Sequence, residues 1–391
     1  MQKAIYADKF FFEHEVSGPG YLVLTDGTFD GFYETLPTSH FDVIDYTGKW
    51  IAPGLVDTHV HGLLGHDVMD NDVHGLEKIS EGLLACGVTS FLPTTLTASI
   101  ESLNEVVKTI GSCYQNVSGA KIQGIFLEGP FFAEAYKGAQ NSAYFSDPSI
   151  EALQKWQELS RGLIKKVAVA PELQGANEFI KYATESGVSV ALAHSGATYK
   201  EAKAAADHGA SMFVHTFNGM TPLHHREPGM VGAAMSLNGV YNELICDGYH
   251  VHPQVVKLLI RATDVDRTVL ISDSMRAGLM PEGTYELGEF PVTVKGKTAC
   301  LENGSLAGSV LLLKDAVKNL VDWEIATPFE AIRMASLVPA KSLAMDHMCG
   351  KIASGHDADF IVLDRHLGLL ATYVNGEKKY ERPPNKKKIM V

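Results

Sequence analysis

Cysteine is scarce and scattered. Cys86, Cys113, Cys246, Cys300 and Cys349 are odd in number and include no CxxC pair, which argues against a disulfide framework and against a cysteine zinc site. Positive charge is also short: 33 Lys and Arg stand against 46 Asp and Glu, a net charge of −13. Bulk electrostatics therefore oppose a nucleic-acid or anionic-membrane surface. An anionic small substrate stays open, because it needs only a local cationic pocket. No apolar run is long enough to span a bilayer, and the opening Met1-Gln-Lys-Ala-Ile-Tyr-Ala-Asp8 lacks a signal-peptide core. A cytoplasmic location is expected. Internal repeats and low-complexity segments are missing too, so no repeat architecture is in play.

What is present is a change of texture near residue 50. Residues 1–50 carry short β-type runs (Ala4–Ala7, Gly20–Leu24, His40–Asp45), split by turn residues such as Ser17-Gly-Pro-Gly20 and Asp26-Gly27. From Ile51 onward apolar strands alternate with amphipathic helices. The first strand is predicted over 54–61 and ends in His59 and His61. The others are Ser90–Thr95, Ile122–Glu128, Val167–Ala170, Val188–His194, Met212–His215, Glu243–Asp247 and Thr268–Asp273. Helical patterns lie between them, at Val73–Cys86, Ile100–Tyr114, Ile150–Leu159, Ala176–Ser186, Tyr199–His208 and Val251–Ala262, with Asp147 and Thr198 as N-caps.

This order predicts an α/β chain with a (β/α)8 TIM-type barrel over residues 51–349, a length such barrels often reach as one unit. A doubly wound sheet explains less well why polar residues close so many strands. Residues 274–308 read as a β-hairpin insertion, followed by helices Val310–Trp323 and Pro328–Leu337. Residues 350–391 return to β-patterns (Lys351–Asp364, Leu369–Val374) and are expected to join residues 1–50 in a small β-sandwich domain. The tail from Glu381 to Lys388 reads as a solvated basic end.

Alternation sends His59 and His61 to one face, which is half of a metal site or, equally, a histidine pair in a loop. The barrel decides between them, because its strand ends converge on one face. It gathers His59 and His61 from the first strand, Glu128 from the third, His194 from the fifth, His215 from the sixth and Asp273 from the eighth. Four imidazoles and two carboxylates are the donors of a hydrolytic metal site. Singly, Glu128 could cap a turn and Asp273 a helix N-terminus; six at matching strand ends favour the site. Such N/O donors accept Zn, Fe, Mn or Co alike. Arg226, in His224-His-Arg-Glu-Pro-Gly229, offers a planar fork for phosphate, with a surface salt bridge as its plain alternative. His224 and His225 flank it and stay ambiguous. His250 and the Asn218-Gly219 backbone could add hydrogen bonds.

Pro53-Gly-Leu-Val-Asp-Thr-His-Val-His61, the later histidines, Asp273 and the closing Gly355-His-Asp-Ala-Asp-Phe-Ile-Val-Leu-Asp364 resemble the amidohydrolase superfamily. Many of its members bridge two metals with a carboxylated lysine ending the fourth strand. Here that strand ends Val169-Ala-Pro-Glu172, and Lys165 and Lys166 lie at its beginning, so Glu128 is placed to supply the bridging anion instead. Leu127-Glu-Gly-Pro130, Ala193-His-Ser195, His215-Thr-Phe-Asn-Gly-Met220, Arg226-Glu-Pro-Gly229, Asp247-Gly-Tyr-His250 and Ser272-Asp-Ser274 narrow the likeness. Over essentially the whole chain the sequence resembles the N-acetylglucosamine-6-phosphate deacetylase family.

That resemblance implies hydrolysis of the acetamide of N-acetylglucosamine 6-phosphate to acetate and glucosamine 6-phosphate. It implies Glu128, His194 and His215 as principal ligands of a divalent metal, and Asp273 as the catalytic acid/base. It implies Ala139, Asn218, Gly219, Arg226 and His250 as contacts to the sugar phosphate, with Ala307, Gly308 and Ser309 as a weaker contact loop. A homodimer is expected, with Arg226 serving its own or a neighbouring site. Two departures stand out. Family members with a single metal lack the first-strand pair, so His59 and His61 here allow a second metal. Where those members carry a polarising histidine, this chain has Gln140. The rival readings are another amidohydrolase reaction, such as a cyclic amidase or deaminase, and a scaffold with no catalysis. The first would want the fourth-strand lysine, and the second predicts broken ligands.

Overall fold

A computed structural model describes residues 2–37 and 40–384. Eight parallel strands form the barrel: Leu55–Val60, Val88–Thr95, Ile125–Leu127, Ile164–Val169, Ser189–Leu192, Met212–Phe213, Tyr241–Ile245 and Thr268–Ile271. Each pairs with the next in sequence. The ring closes between first and last, where Val60 bridges Ser274 and the Asp273 N–H donates to the His59 carbonyl at 3.0 Å. Strands covered on both faces are buried throughout, and Leu55–Val60 is buried at every position although Asp57, Thr58 and His59 are polar.

The helices follow the apolar periodicity closely. Tyr199–Asp207 opens with a capping box of Thr198 and Glu201. Ile150–Leu159 is capped by Ser149 rather than Asp147: the Ser149 hydroxyl accepts the Ala152 N–H at 3.1 Å. Gly229–Ser236 is a helix beyond the predicted set: six of its eight residues are buried and no polar face marks it in the sequence. The helix predicted over Pro328–Leu337 breaks into Pro328–Met334 and Leu337–Ser342. Pro339 has no N–H for the Ala335 carbonyl, which instead accepts from Val56 of the barrel.

The predicted third strand is split, with Lys121–Ile122 standing apart from Ile125–Leu127. Gly124 lies between them, and a Cβ there would fall 2.2 Å from Lys165 Cγ, so the lysine stem crosses bare backbone. Residues 274–308 hold three antiparallel strands rather than a hairpin: Gly283–Leu287, Phe290–Lys295 and Thr298–Cys300. Their inward residues Leu287, Val292, Val294 and Ala299 pack with Leu96, Met275 and Ala277, which seats this sheet against the barrel.

Strands from both ends of the chain share one further sheet. The first part supplies Gln2–Phe11, Gly20–Thr25, Thr28–Tyr33 and Asp42–Pro53; the last supplies Phe360–Leu363, Leu369–Val374 and Glu377–Glu381. The sheet folds back where Thr28 bridges Asp357, enclosing a second core with Ile5, Phe10, Leu22, Phe29, Phe360 and Tyr373. Asp42–Pro53 is much longer than the predicted His40–Asp45 and runs almost into the first barrel strand. Of the predicted basic tail, residues 385–388 lie outside the described residues; Arg382 pairs with Asp364 at 3.6 Å. Among the described residues no helix is long and apolar enough to cross a membrane.

Candidate metal centre and active site

The strands stop just short of the residues that matter. His61 and Glu128 lie one residue beyond their strands, and His194, His215 and Asp273 lie two beyond theirs. His194 (φ 45°), His215 (φ 29°) and Asp273 (φ 50°) all take a left-handed backbone conformation that is uncommon outside glycine. That turn ends each strand early and leaves the side chain over the barrel mouth. His59 sits inside its strand, where the register against the second strand shifts between Asp57 and Val60.

All six side chains are buried and converge. His59 and His61 bring their Nε2 atoms to 3.2 Å of each other, as do His194 and His215. Glu128 stands between the pairs. Its Oε1 is 3.2 Å from His215 Nε2 and 3.5 Å from the Nε2 of both His194 and His59, and its Oε2 is 3.2 Å from His61 Nε2. Asp273 Oδ1 lies 3.3 Å from the Nε2 of His59 and of His61. Two groups could hold a metal ion, His59–His61–Glu128 and Glu128–His194–His215, with the donor atoms of each within 4.8 Å of one another.

The donor set suits a divalent cation. Imidazole nitrogens and carboxylate oxygens are the ordinary ligands of such ions. Behind the rings, His194 Nδ1 meets the Tyr136 carbonyl at 2.9 Å and His59 Nδ1 faces Glu243 Oε2 at 3.4 Å. Charge points the same way. Burial opposes a proton on His59 and His61, yet the Asp273 and Glu128 carboxylates outweigh it and push their pKa values up to about 9 and about 10. Burial likewise opposes ionisation of Glu128, but His59 and the bonds from His194 and His215 hold it well below the usual carboxylate range. Asp273 is lowered against the same burial penalty by His59 and His61. Two sealed carboxylates thus call for compensating positive charge, as protons or as a cation.

The cluster forms the floor of a cavity of about 250 Å³. Ala139, Asn218, Gly219, His250 and Gly308 line it, beside Gly138, Gln140 and the apolar Leu96, Ile245, Leu287 and Leu306. His250 is aimed by Asp247, whose Oδ2 is 2.7 Å from its Nδ1. Ala307 and Ser309 stand behind the wall: both are buried, and Ser309 donates its N–H to the Asp273 carbonyl and its hydroxyl to that of Ser272. Gln140 is taken up by its neighbours, donating to Glu128 Oε2 at 2.9 Å and accepting the Thr97 N–H at 3.0 Å. Arg226 does not join its own cavity. It is exposed, with Nη1 2.8 Å from His225 Nε2.

Several contributors escape a reading of the sequence. Leu287 and Leu306 come from the insertion, whose folding back over the mouth has no local signature. Lys166 is sealed inside the barrel against Glu243, not left at a strand's open start. The available signal was its inward parity with Ala168, two positions along the same strand.

Known proteins share this architecture and its sequence. Residues 50–382 match the amidohydrolase family. The chain is 39% identical over 343 residues to an N-acetylglucosamine-6-phosphate deacetylase of Vibrio furnissii, covering 88% of this chain and 86% of that one. It is also 39% identical over 357 residues to an N-acetylgalactosamine-6-phosphate deacetylase of Escherichia coli O157:H7, covering 91% and 93%. The crystal structure of N-acetylglucosamine-6-phosphate deacetylase from Pasteurella multocida matches with a TM-score of 0.92 at 27% identity, over 98% of this chain and 100% of that one. That from Thermotoga maritima gives 0.87 at 30% identity, over 98% and 100%.

Proposed function

The chain belongs to the amidohydrolase family, and from that premise we propose that it hydrolyses the acetamide of N-acetyl-D-glucosamine 6-phosphate, yielding acetate and D-glucosamine 6-phosphate. The observation that carries the proposal is Glu128 set between two converging histidine pairs, with Asp273 against one of them, on the floor of a small cavity. Relatives at 33–39% identity that bear this activity support it.

In this reading Glu128, His194 and His215 would hold one divalent cation and His59, His61 and Glu128 a second; cations bound there would supply an acidified water and a polarised amide carbonyl. Zn, Fe, Mn and Co all suit these donors. Asp273 takes the proton of the attacking water on a carboxylate oxygen and passes it to the departing nitrogen, a role typically worth about 10²–10⁴-fold. A carboxylate of ordinary acidity is already ionised at neutral pH and free to take that proton. Gln140, bound to Glu128 and Thr97, holds the Glu128 carboxylate in place.

No Lys or Arg is among the described residues lining the cavity. His250 and Asn218 are the polar groups left for the phosphate end. We therefore read the protein as a homodimer in which Arg226, turned away from its own cavity, reaches the phosphate in the neighbouring site. Leu223, 55% exposed on the same loop, is surface such a contact would cover. A cytoplasmic place in amino-sugar catabolism belongs to the same proposal, supported by five cysteines that are all free thiols. Cyclic-amidase or deaminase chemistry is not favoured by the relatives named above.

The test is acetate release from N-acetylglucosamine 6-phosphate beside its galacto epimer and beside unphosphorylated N-acetylglucosamine. The gluco phosphate is expected to be turned over best. Turnover of the galacto phosphate alone would replace the substrate named here.

A further inference from the structure

Two charged side chains are sealed inside the barrel and have no part in the chemistry above. Lys166 of the fourth strand and Glu243 of the seventh are both 0% exposed, and Lys166 Nζ donates to Glu243 Oε1. The ammonium also lies 3.7 Å from the centroid of the Phe126 ring. Glu243 has two further partners. Thr58 Oγ1 donates to Oε1 at 3.2 Å, and Oε2 lies 3.4 Å from His59 Nδ1. A buried ion pair is a poor stabiliser, because desolvation offsets most of the attraction. Its placement behind His59 suggests another use.

The four histidines of the centre differ in what stands behind them. His194 Nδ1 meets a backbone carbonyl, while the Nδ1 atoms of His61 and His215 have no protein partner. Of these four, and among the described residues, only His59 has a carboxylate behind its ring. Glu243 would by itself add a further buried carboxylate close to Glu128 and Asp273. Lys166 cancels that charge without reaching the centre.

We propose that Glu243 is a positioning residue for His59: it accepts the Nδ1–H, so that Nε2 is the free donor turned towards His61 and Glu128, and Lys166 holds Glu243 to that task. An imidazole backed by a carboxylate is a better-oriented and more basic ligand, and losing such a partner typically costs about 10–100-fold in metal affinity. The inference rests on the reading that His59 and His61 hold a second cation.

Two double variants separate positioning from packing. Lys166→Met/Glu243→Gln removes both charges but keeps an acceptor for Nδ1–H. Lys166→Met/Glu243→Leu removes the acceptor as well. Titration with Zn²⁺ against a chromophoric chelator is expected to resolve two ions per subunit in the unaltered protein. The glutamine variant should keep both affinities, and the leucine variant should bind one of the two about 10–100-fold more weakly. His59→Asn should abolish that same ion. Equal behaviour of the two double variants, whether both intact or both weakened, overturns the proposal. If the leucine variant does not fold, Lys166→Met/Glu243→Ala replaces it with the same outcomes. A single Zn²⁺ in the unaltered protein, untouched by His59→Asn, would instead remove the two-cation reading and this inference with it.

Discussion

Asp273 Oδ1 lies 3.3 Å from His61 Nε2, although the two residues come from the last and first strands of the barrel. Barrel closure makes them neighbours, and the Asp273 N–H bond to the His59 carbonyl fixes the approach. Asp273→Asn keeps the shape but cannot take up a proton. It is expected to bind metal as before and to lose about 10²–10⁴-fold in kcat. Near-normal turnover would remove Asp273 from the acid/base role.

Gly219 is needed as glycine. Its φ is +59°, and a Cβ there would come within 3.0 Å of His194 Nδ1 and 3.3 Å of the Tyr136 carbonyl, the two atoms joined at 2.9 Å. Gly219→Ala should cost roughly 1–2 kcal/mol in stability from the left-handed backbone alone. It should also displace the His194 ring and weaken metal binding there. Thermal melts with a metal titration check both parts; an unchanged metal affinity would show that the ring does not depend on this contact.

Stability should depend on pH differently with and without metal. His59 and His61 have folded pKa values of about 9 and about 10, above the ordinary 6.5. Their contribution to the metal-stripped protein is fully present below about pH 6.5 and lost as pH rises through 9 to 10. A bound cation replaces those protons, so the loaded protein lacks this loss. The gap in Tm between loaded and stripped protein should therefore widen from pH 7 to pH 10. A constant gap would contradict the assignment.

Arg226→Ala is expected to raise KM for N-acetylglucosamine 6-phosphate and to leave KM for the unphosphorylated sugar nearly unchanged. Because Arg226 is exposed and does not line its own cavity, mixing Arg226→Ala with Asp273→Asn subunits should restore activity if the neighbouring subunit supplies the arginine. One site of the mixed dimer then has an intact Asp273 and an intact arginine from its neighbour. No recovery in a verified mixed dimer would place Arg226 in its own site.

Much of this was legible in the sequence, for physical reasons. Apolar runs of strand length ending in His or a carboxylate pointed to the barrel, and the barrel's convergence brought His59, His61, Glu128, His194, His215 and Asp273 together. Strand ends were less legible. The left-handed turns at His194, His215 and Asp273 end their strands two residues early, and nothing local marks a non-glycine residue for that conformation. Periodicity tells which way a side chain points but not what it meets. Lys166 was therefore readable as a residue at the beginning of the fourth strand but not as the partner of Glu243, three strands away around the barrel. The same limit applies to Leu287 and Leu306 of the insertion, which line the cavity although they lie far along the chain from the strand ends; Leu287 packs there with Leu96.

The central claim is that the cluster around Glu128 hydrolyses the acetamide of a phosphorylated amino sugar with the help of a bound cation. Acetate and free amine released from N-acetylglucosamine 6-phosphate, measured with a metal count before and after chelation, test it most directly. The account predicts equal amounts of both products, loss of activity as chelation empties the site, and recovery on adding back Zn²⁺. No acetate from metal-loaded protein, or release that chelation leaves untouched while the metal count falls to zero, would contradict it.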